Sequence, residues 1–241
     1  MSGLSGAAYL VRGLRLIIQP GIRHFAVIPA LINMGLFVAV TVLLFTELDR
    51  WVNGLMPTLP HWLQWLDWLI RFIVSVAAVV LSFFTVSLAA NLIAAPFNEV
   101  LAARVERFVT GSPPAEHPAS WMSALSHAVM NQLRKLRYFA VRAAPLLLLY
   151  LIPGVNAAAP LLWLLFSAWM MAVEYVDYPM GNHGLGFTDQ RRVLAANRLL
   201  ALGFGGTVLT VTAVPLINFI VMPAAVAGAT VMWVEKLSPR A

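Results

Sequence analysis

There is no cysteine in the chain. That absence removes a disulfide framework, a thiol nucleophile and any zinc site built on sulfur. Charge is scarce as well. Only 11% of the 241 residues are charged, where globular domains carry about 25%. With 61% hydrophobic residues and a mean hydropathy of +0.82, a soluble domain and a disordered chain are both excluded, and an integral membrane protein is expected. No Walker A loop is present, so ATP is not expected as the direct fuel. The five histidines, His24, His61, His117, His127 and His183, show no metal spacing, and no hydrolase constellation stands out. No metal, no cofactor and no enzymatic activity are therefore expected. The N-terminus has no short apolar core ending in an A-x-A-like site, so no cleavable signal peptide is expected.

The charge that is present leans one way, to +6 at neutral pH. In a soluble protein this would raise the question of nucleic acid. In a membrane protein it marks the cytoplasmic face, and no nucleic-acid partner is expected.

The chain divides by its apolar runs. Residues 4–18 repeat Leu4, Ala7, Leu10, Val11, Leu14, Ile17 and Ile18 at helical spacing, with Arg12 and Arg15 between them. Such a helix is too short and too charged to span and suits the membrane interface. Residues 25–46 hold no charge and are long enough to cross a hydrocarbon core of about 30 Å. A polar excursion follows, from Glu47 to Asp67, with Trp51, Trp62, Trp65 and Trp68 in and beside it as an interfacial belt. Residues 72–95 form a second full span. Residues 98–142 read as cytoplasmic helices interrupted by the loop GSPPAEHP at 111–118.

Two later apolar regions differ from these. Residues 143–173 and 199–234 each consist of two short arms around a P-x-x-N turn, Pro153–Asn156 and Pro215–Asn218. The arms fall mostly below the roughly 20 residues needed to span. Re-entrant hairpins are one reading; four short, kinked spans are the other. A polar segment, 174–198, separates them. The expected fold is an all-α integral membrane protein forming a single membrane domain over residues 1–241. It has two long transmembrane helices, two re-entrant, partly inserted helical hairpins, and amphipathic and cytoplasmic helices. If the two long runs cross, only Arg50 and Arg71 of the 16 basic side chains flank the excursion. The other side, which holds both termini, is then cytoplasmic.

The chain is organised around Pro20-Gly21-Ile22-Arg23-His24, which leads into the first span. A helix start offers N–H groups without intrahelical acceptors and the positive end of its dipole. Arg23 adds a planar fork that fits an oxyanion. Gly21, Ile22, Arg23 and His24 therefore read as an anion cradle, or, as the local sequence taken alone favours, as an ordinary helix start with a snorkelling arginine and an interfacial histidine. Asn33, Asn91, Asn98 and Glu106 line a path in one reading. In the other, the asparagines join helices and Glu106 pairs with Arg104, Arg107 or Arg134. The segment containing Asp177 and Arg192 is either a gating loop or a polar turn, with Thr188 capping a basic helix. Asp177 is a candidate for an ion pair with one of the nearby arginines.

Several stretches taken together resemble the CysZ sulfate permease family and, more distantly, the etoposide-induced membrane proteins. They are P20-G-I-R-H-F-A-V-I-P-A-L-I-N33, A95-P-F-N-E99 with V105-E106, E174-Y-V-D-Y-P179, N182-H-G, and F187-x-x-Q-R-R192. The resemblance implies a bacterial inner-membrane protein that imports sulfate for cysteine synthesis. It also implies two long spanning helices with two partly inserted hairpins, and a homo-oligomer, dimer or hexamer, in the lipid bilayer. It places sulfate at Gly21, Ile22 and Arg23. Family members often carry a second arginine next, where this chain has His24. Moving a dianion against a negative-inside potential is uphill by about 4.6 kcal/mol per 100 mV. Concentrative uptake therefore needs a coupling ion, for which a proton carried by Glu106 or His24 is the natural choice. A passive sulfate channel and a non-transporting membrane scaffold or regulatory subunit are the alternatives.

Overall fold

A computed structural model describes residues 3–55, 65–112 and 121–238. Within them, nothing is described of the side chains at 83–95 and 121–129, nor of a few others including Asn33. All regular structure among the described residues is helical. The order is α1 (Gly3–Ile17), α2 (Arg23–Leu55), α3 (Asp67–Thr110), α4 (Trp121–Leu149), α5 (Ala159–Asn182), α6 (Phe187–Ala196), α7 (Arg198–Thr212) and α8 (Pro215–Met232). A 3-10 turn at Asn156–Ala158 precedes α5, and a π-turn at Trp233–Leu237 continues α8.

Among the described residues, three helical segments are long and apolar enough to cross a membrane: Arg23–Leu44, Asn156–Asn182 and Ile220–Leu237. A fourth becomes available if α6 and α7, bent by 105° at Asn197, count as one broken span. The expected span 25–46 lies within α2. The expected span 72–95 lies within α3, mostly on residues whose side chains are not described.

The chain forms two compact units, residues 27–96 and residues 1–26 with 97–241. In the first, Arg71 reaches Asp67 at 2.7 Å and the Asn53 side-chain oxygen at 2.5 Å. Glu47 pairs with Arg50 one turn away. Trp51, Trp65 and Trp68 are exposed, as an interfacial belt requires. Trp62 lies outside the described residues.

The second unit is built around α8, which is enclosed by protein from Val221 onward. Residues 224–227, Ala229, Val231 and Met232 are all fully buried. Helix α1 is not merely a surface helix: it packs along α7 and α8 through glycines. A Cβ added at Gly13 would stand 2.0 Å from the Ala224 carbonyl oxygen, and one at Gly228 would stand 2.4 Å from that of Tyr9. Across the α5–α7 seam, Gly205 faces the Ala168 carbonyl oxygen in the same way, at 1.9 Å. Small residues let membrane helices approach at backbone distance. Arg12 closes the α1–α8 contact with a two-pronged pair to Glu235, at 2.6 and 2.7 Å, and Tyr9 donates to the same carboxylate at 3.1 Å.

The helix boundaries differ from the sequence expectation in four places. The expected break at 142/143 is absent, because α4 runs unbroken to Leu149. Charge stops at Arg142, but nothing in the backbone does; Pro145 sits inside the helix. Helix α5 likewise passes through 173/174 to Asn182. The second hairpin turns at Ala213–Val214, with Pro215 as the first residue of α8, where a missing N–H does no harm. Thr188 does not cap α6. Gly186 occupies that position, in extended conformation and without a side-chain cap.

Candidate functional site

The corner before α2 is a tight turn. The N–H groups of Ile22 and Arg23 both donate to the Gln19 carbonyl, at 3.1 Å, and that of Phe25 donates to Ile22 at 3.0 Å. The N–H groups of Gly21 and His24 have no acceptor among the described residues. Gly21 has φ +93°, and a Cβ added there would meet nothing within 4 Å. The backbone therefore requires glycine, and the space beside it is open. Ile22 is 2% exposed and anchors the turn in the core. Arg23 and His24 point outward, and neither has a carboxylate partner among the described residues. Arg104 of α3 lies with its guanidinium 5.0 Å from the Phe25 ring, two residues beyond Arg23.

Glu106 is buried, and its partner is none of the three arginines expected from the sequence. His183, at the end of α5, places Nε2 2.7 Å from Glu106 Oε1. The other oxygen, Oε2, is buried without a hydrogen-bond partner. The imidazole also leans on Trp233, with ring centroids 5.4 Å apart. Two more contacts join the same stretches. Asn98, 4% exposed, donates to the Tyr178 hydroxyl at 3.3 Å, and Asn182 donates to the Glu99 carbonyl at 3.0 Å.

Asp177 pairs with a lysine rather than an arginine. Lys135 of α4, 5% exposed, places Nζ 2.5 Å from Asp177 and 3.1 Å from Glu174. Burial alone would lower the Lys135 pKa, but Asp177 and Glu174 outweigh it and hold the ammonium above its usual value. Gln190 of α6 completes the group by donating to Asp177 at 2.6 Å and to the Leu185 carbonyl at 2.8 Å. Arg192 is not part of it; it forms an exposed pair with Asp189 one turn away, at 3.1 Å. Asn33 and Asn91 lie on helices, with side chains outside the described residues.

The sequence alone did not mark Lys135, His183 and Gln190 as the partners of Asp177 and Glu106. Glu106 and His183 are 77 residues apart, and Lys135 and Asp177 stand on different helices. Among the described residues no group of acidic and histidine side chains could hold a metal ion.

The family described as Sulfate transporter CysZ/Etoposide-induced protein 2.4 matches residues 9–223. The chain belongs to the CysZ family. Sulfate transporter CysZ of Pseudomonas aeruginosa is 42% identical over 244 residues, covering 100% of this chain and 99% of that protein. The Sulfate transporter CysZ of Pseudomonas fluorescens (strain Pf0-1) is 44% identical over 239 residues, covering 97% and 94%. That of Pectobacterium atrosepticum is 41% identical over 234 residues, covering 96% and 85%. These CysZ relatives are named as transporters, not enzymes. All three matches run through the corner, the Glu106 region and the polar segment after α5, since each covers nearly the whole chain.

Proposed function

We propose that this protein carries sulfate across the bacterial inner membrane, supplying sulfur for cysteine synthesis, and that the anion is held at Gly21–His24. The observation that carries this reading is the open corner. A left-handed glycine with free space beside it leaves two backbone donors without an acceptor among the described residues, next to Arg23 and His24, neither of which has a carboxylate partner among them. A dianion is costly to dehydrate. Donors and one or two cations replace part of its shell without trapping it.

Glu106 and His183 are the proposed coupling pair. A 2.7 Å contact between a carboxylate oxygen and an imidazole nitrogen requires a proton between them. The other oxygen, Oε2, is buried beside that contact with no hydrogen-bond partner among the described residues. Two protons entering with each sulfate make the cycle electroneutral, which removes the cost of the membrane potential.

Two long spans in α2 and α3, with partly inserted pairs α4–α5 and α7–α8, are the proposed membrane arrangement, with both termini cytoplasmic. The 105° bend at Asn197 supports an incomplete crossing there. Broad exposed apolar faces, such as Leu147, Leu148, Leu161 and Leu164, support contact with lipid and with further copies in a homo-oligomer.

The test is radiolabelled sulfate uptake into proteoliposomes of the purified protein, with and without an inward proton gradient. Uptake that requires Arg23 and rises with the gradient is expected. Uptake indifferent to the gradient identifies a passive channel. No uptake by folded, inserted protein overturns transport in favour of a scaffold role.

A further inference from the structure

Helices α4 and α6 flank a half-open cleft of about 630 Å³ whose lining includes four arginines, Arg134, Arg137, Arg142 and Arg191, and no carboxylate. Among the described residues none of the four has an acidic partner, because the nearby acids are already engaged. Glu174 and Asp177 are held by Lys135, and Asp189 by Arg192. Arg142 and Arg191 both stack on one ring, that of Tyr138, with centroid distances of 3.7 and 5.3 Å. Their like charges are thus within about 9 Å of each other and repel. A cation held over an aromatic ring keeps its N–H groups free to donate to an anion. Thr188, in the first turn of α6, lines the same cavity, and neither its N–H nor its hydroxyl is engaged among the described residues. The helix dipole there adds positive potential.

We infer that this cavity is a second anion site, built for a tetrahedral oxyanion of the sulfate or phosphate class. Four guanidinium groups without an acidic partner among the described residues, three of them exposed, make a basic cleft that attracts a counter-ion of high charge density. Tetrahedral oxyanions match their forked donors, where a carboxylate would occupy only one fork. The volume falls in the range of small-molecule pockets, about 300–1,000 Å³, which leaves room for substituents on the anion. The oxyanion has two possible sources. One is free sulfate or phosphate. The other is the headgroup of an anionic phospholipid, whose chains would follow the exposed apolar surface of Val141, Leu147 and Leu148 just beyond Arg142.

The site is tested in full-length, delipidated protein carrying Arg23→Ala, so that a loss at the corner before α2 is not confused with a loss here. Binding of sulfate and of inorganic phosphate is measured by calorimetry, and thermal stabilisation is measured with phosphatidylglycerol against phosphatidylcholine. Each is repeated with Arg142→Gln/Arg191→Gln. Arg134→Gln/Arg137→Gln removes charge without touching the Tyr138 stack and serves if the first pair fails to fold. Arg198→Gln, an exposed arginine outside the cavity, is the control. A tenfold or greater loss of affinity for the free anions in the cavity variants, absent in the control, supports the site with a free oxyanion. Stabilisation by phosphatidylglycerol alone, lost in the same variants, supports it with a lipid headgroup. Equal behaviour of parent, cavity variants and control towards every probe overturns the proposal.

Discussion

His183 Nε2 lies 2.7 Å from Glu106 Oε1, and Glu106 is 8% exposed while His183 is 24% exposed. The pair thus has an inner member shielded from water and an outer member that water can reach. That asymmetry is what a proton relay between solvent and a buried carboxyl requires. Glu106→Gln keeps the shape and the contact with His183 but cannot gain or lose a proton. It is expected to leave sulfate binding intact and to abolish the stimulation of uptake by an inward proton gradient. Uptake in proteoliposomes that keeps its full gradient response in this variant would remove Glu106 from the coupling.

Gly21→Ala tests the corner through its backbone. At φ +93° a Cβ costs about 1–2 kcal/mol in conformational strain, although the space around it is empty. The turn is expected to relax towards negative φ and carry Arg23 with it. Sulfate affinity should fall roughly tenfold with little change in melting temperature. A loss of stability with unchanged affinity would mean that the turn serves the fold alone.

Lys135 sets a limit at high pH. Its raised pKa means that its contribution to stability is fully present below the ordinary lysine value and is lost as pH rises through the higher folded value. Melting temperature measured from pH 7 to 11 should hold steady and then drop only at the alkaline end. In Lys135→Met that drop should disappear and the whole curve should lie lower, since Asp177 is left without its cation. Breaking a buried pair costs about 3–5 kcal/mol. The lower end applies here because Glu174 remains 45% exposed.

Gly13→Ala separates packing from function. Its Cβ would collide with the Ala224 carbonyl at 2.0 Å, backbone against side chain, with nothing flexible to move aside. Overpacking of this kind costs about 1–3 kcal/mol or more. Gly35→Ala, within α2, meets nothing within 4 Å and replaces a helical glycine by a better helix former. The first should lower the melting temperature by several degrees and the second should not lower it. Equal effects would contradict the close α1–α8 approach.

The helical class and the membrane setting were legible in the composition, and α1 in the spacing of Leu4 through Ile18. The turn at Gly21 was legible because a Pro-Gly pair has few other uses. The end of α4 was not, because a change from charged to apolar residues at Arg142 marks a change of surroundings and not of backbone. The partners of Glu106 and Asp177 were hidden for another reason. Periodicity reports which residues share a face of one helix, and it carries no information about which helices meet. The arginine cavity was half visible. Arg134, Arg137 and Arg142 crowd one stretch of sequence, but Arg191 arrives from a helix some fifty residues on.

The glycine seams have a mechanical consequence. Where Gly13, Gly205 and Gly228 bring main chain against main chain, no side chain lies between the helices that could switch rotamer and absorb a displacement. A small shift along such a seam meets hard-core repulsion at once, so α1 with α8, and α5 with α7, each move as a stiff pair. Give in this unit is left to the contacts made by side chains alone, such as those of Tyr138 in α4 with Phe187 and Arg191 in α6.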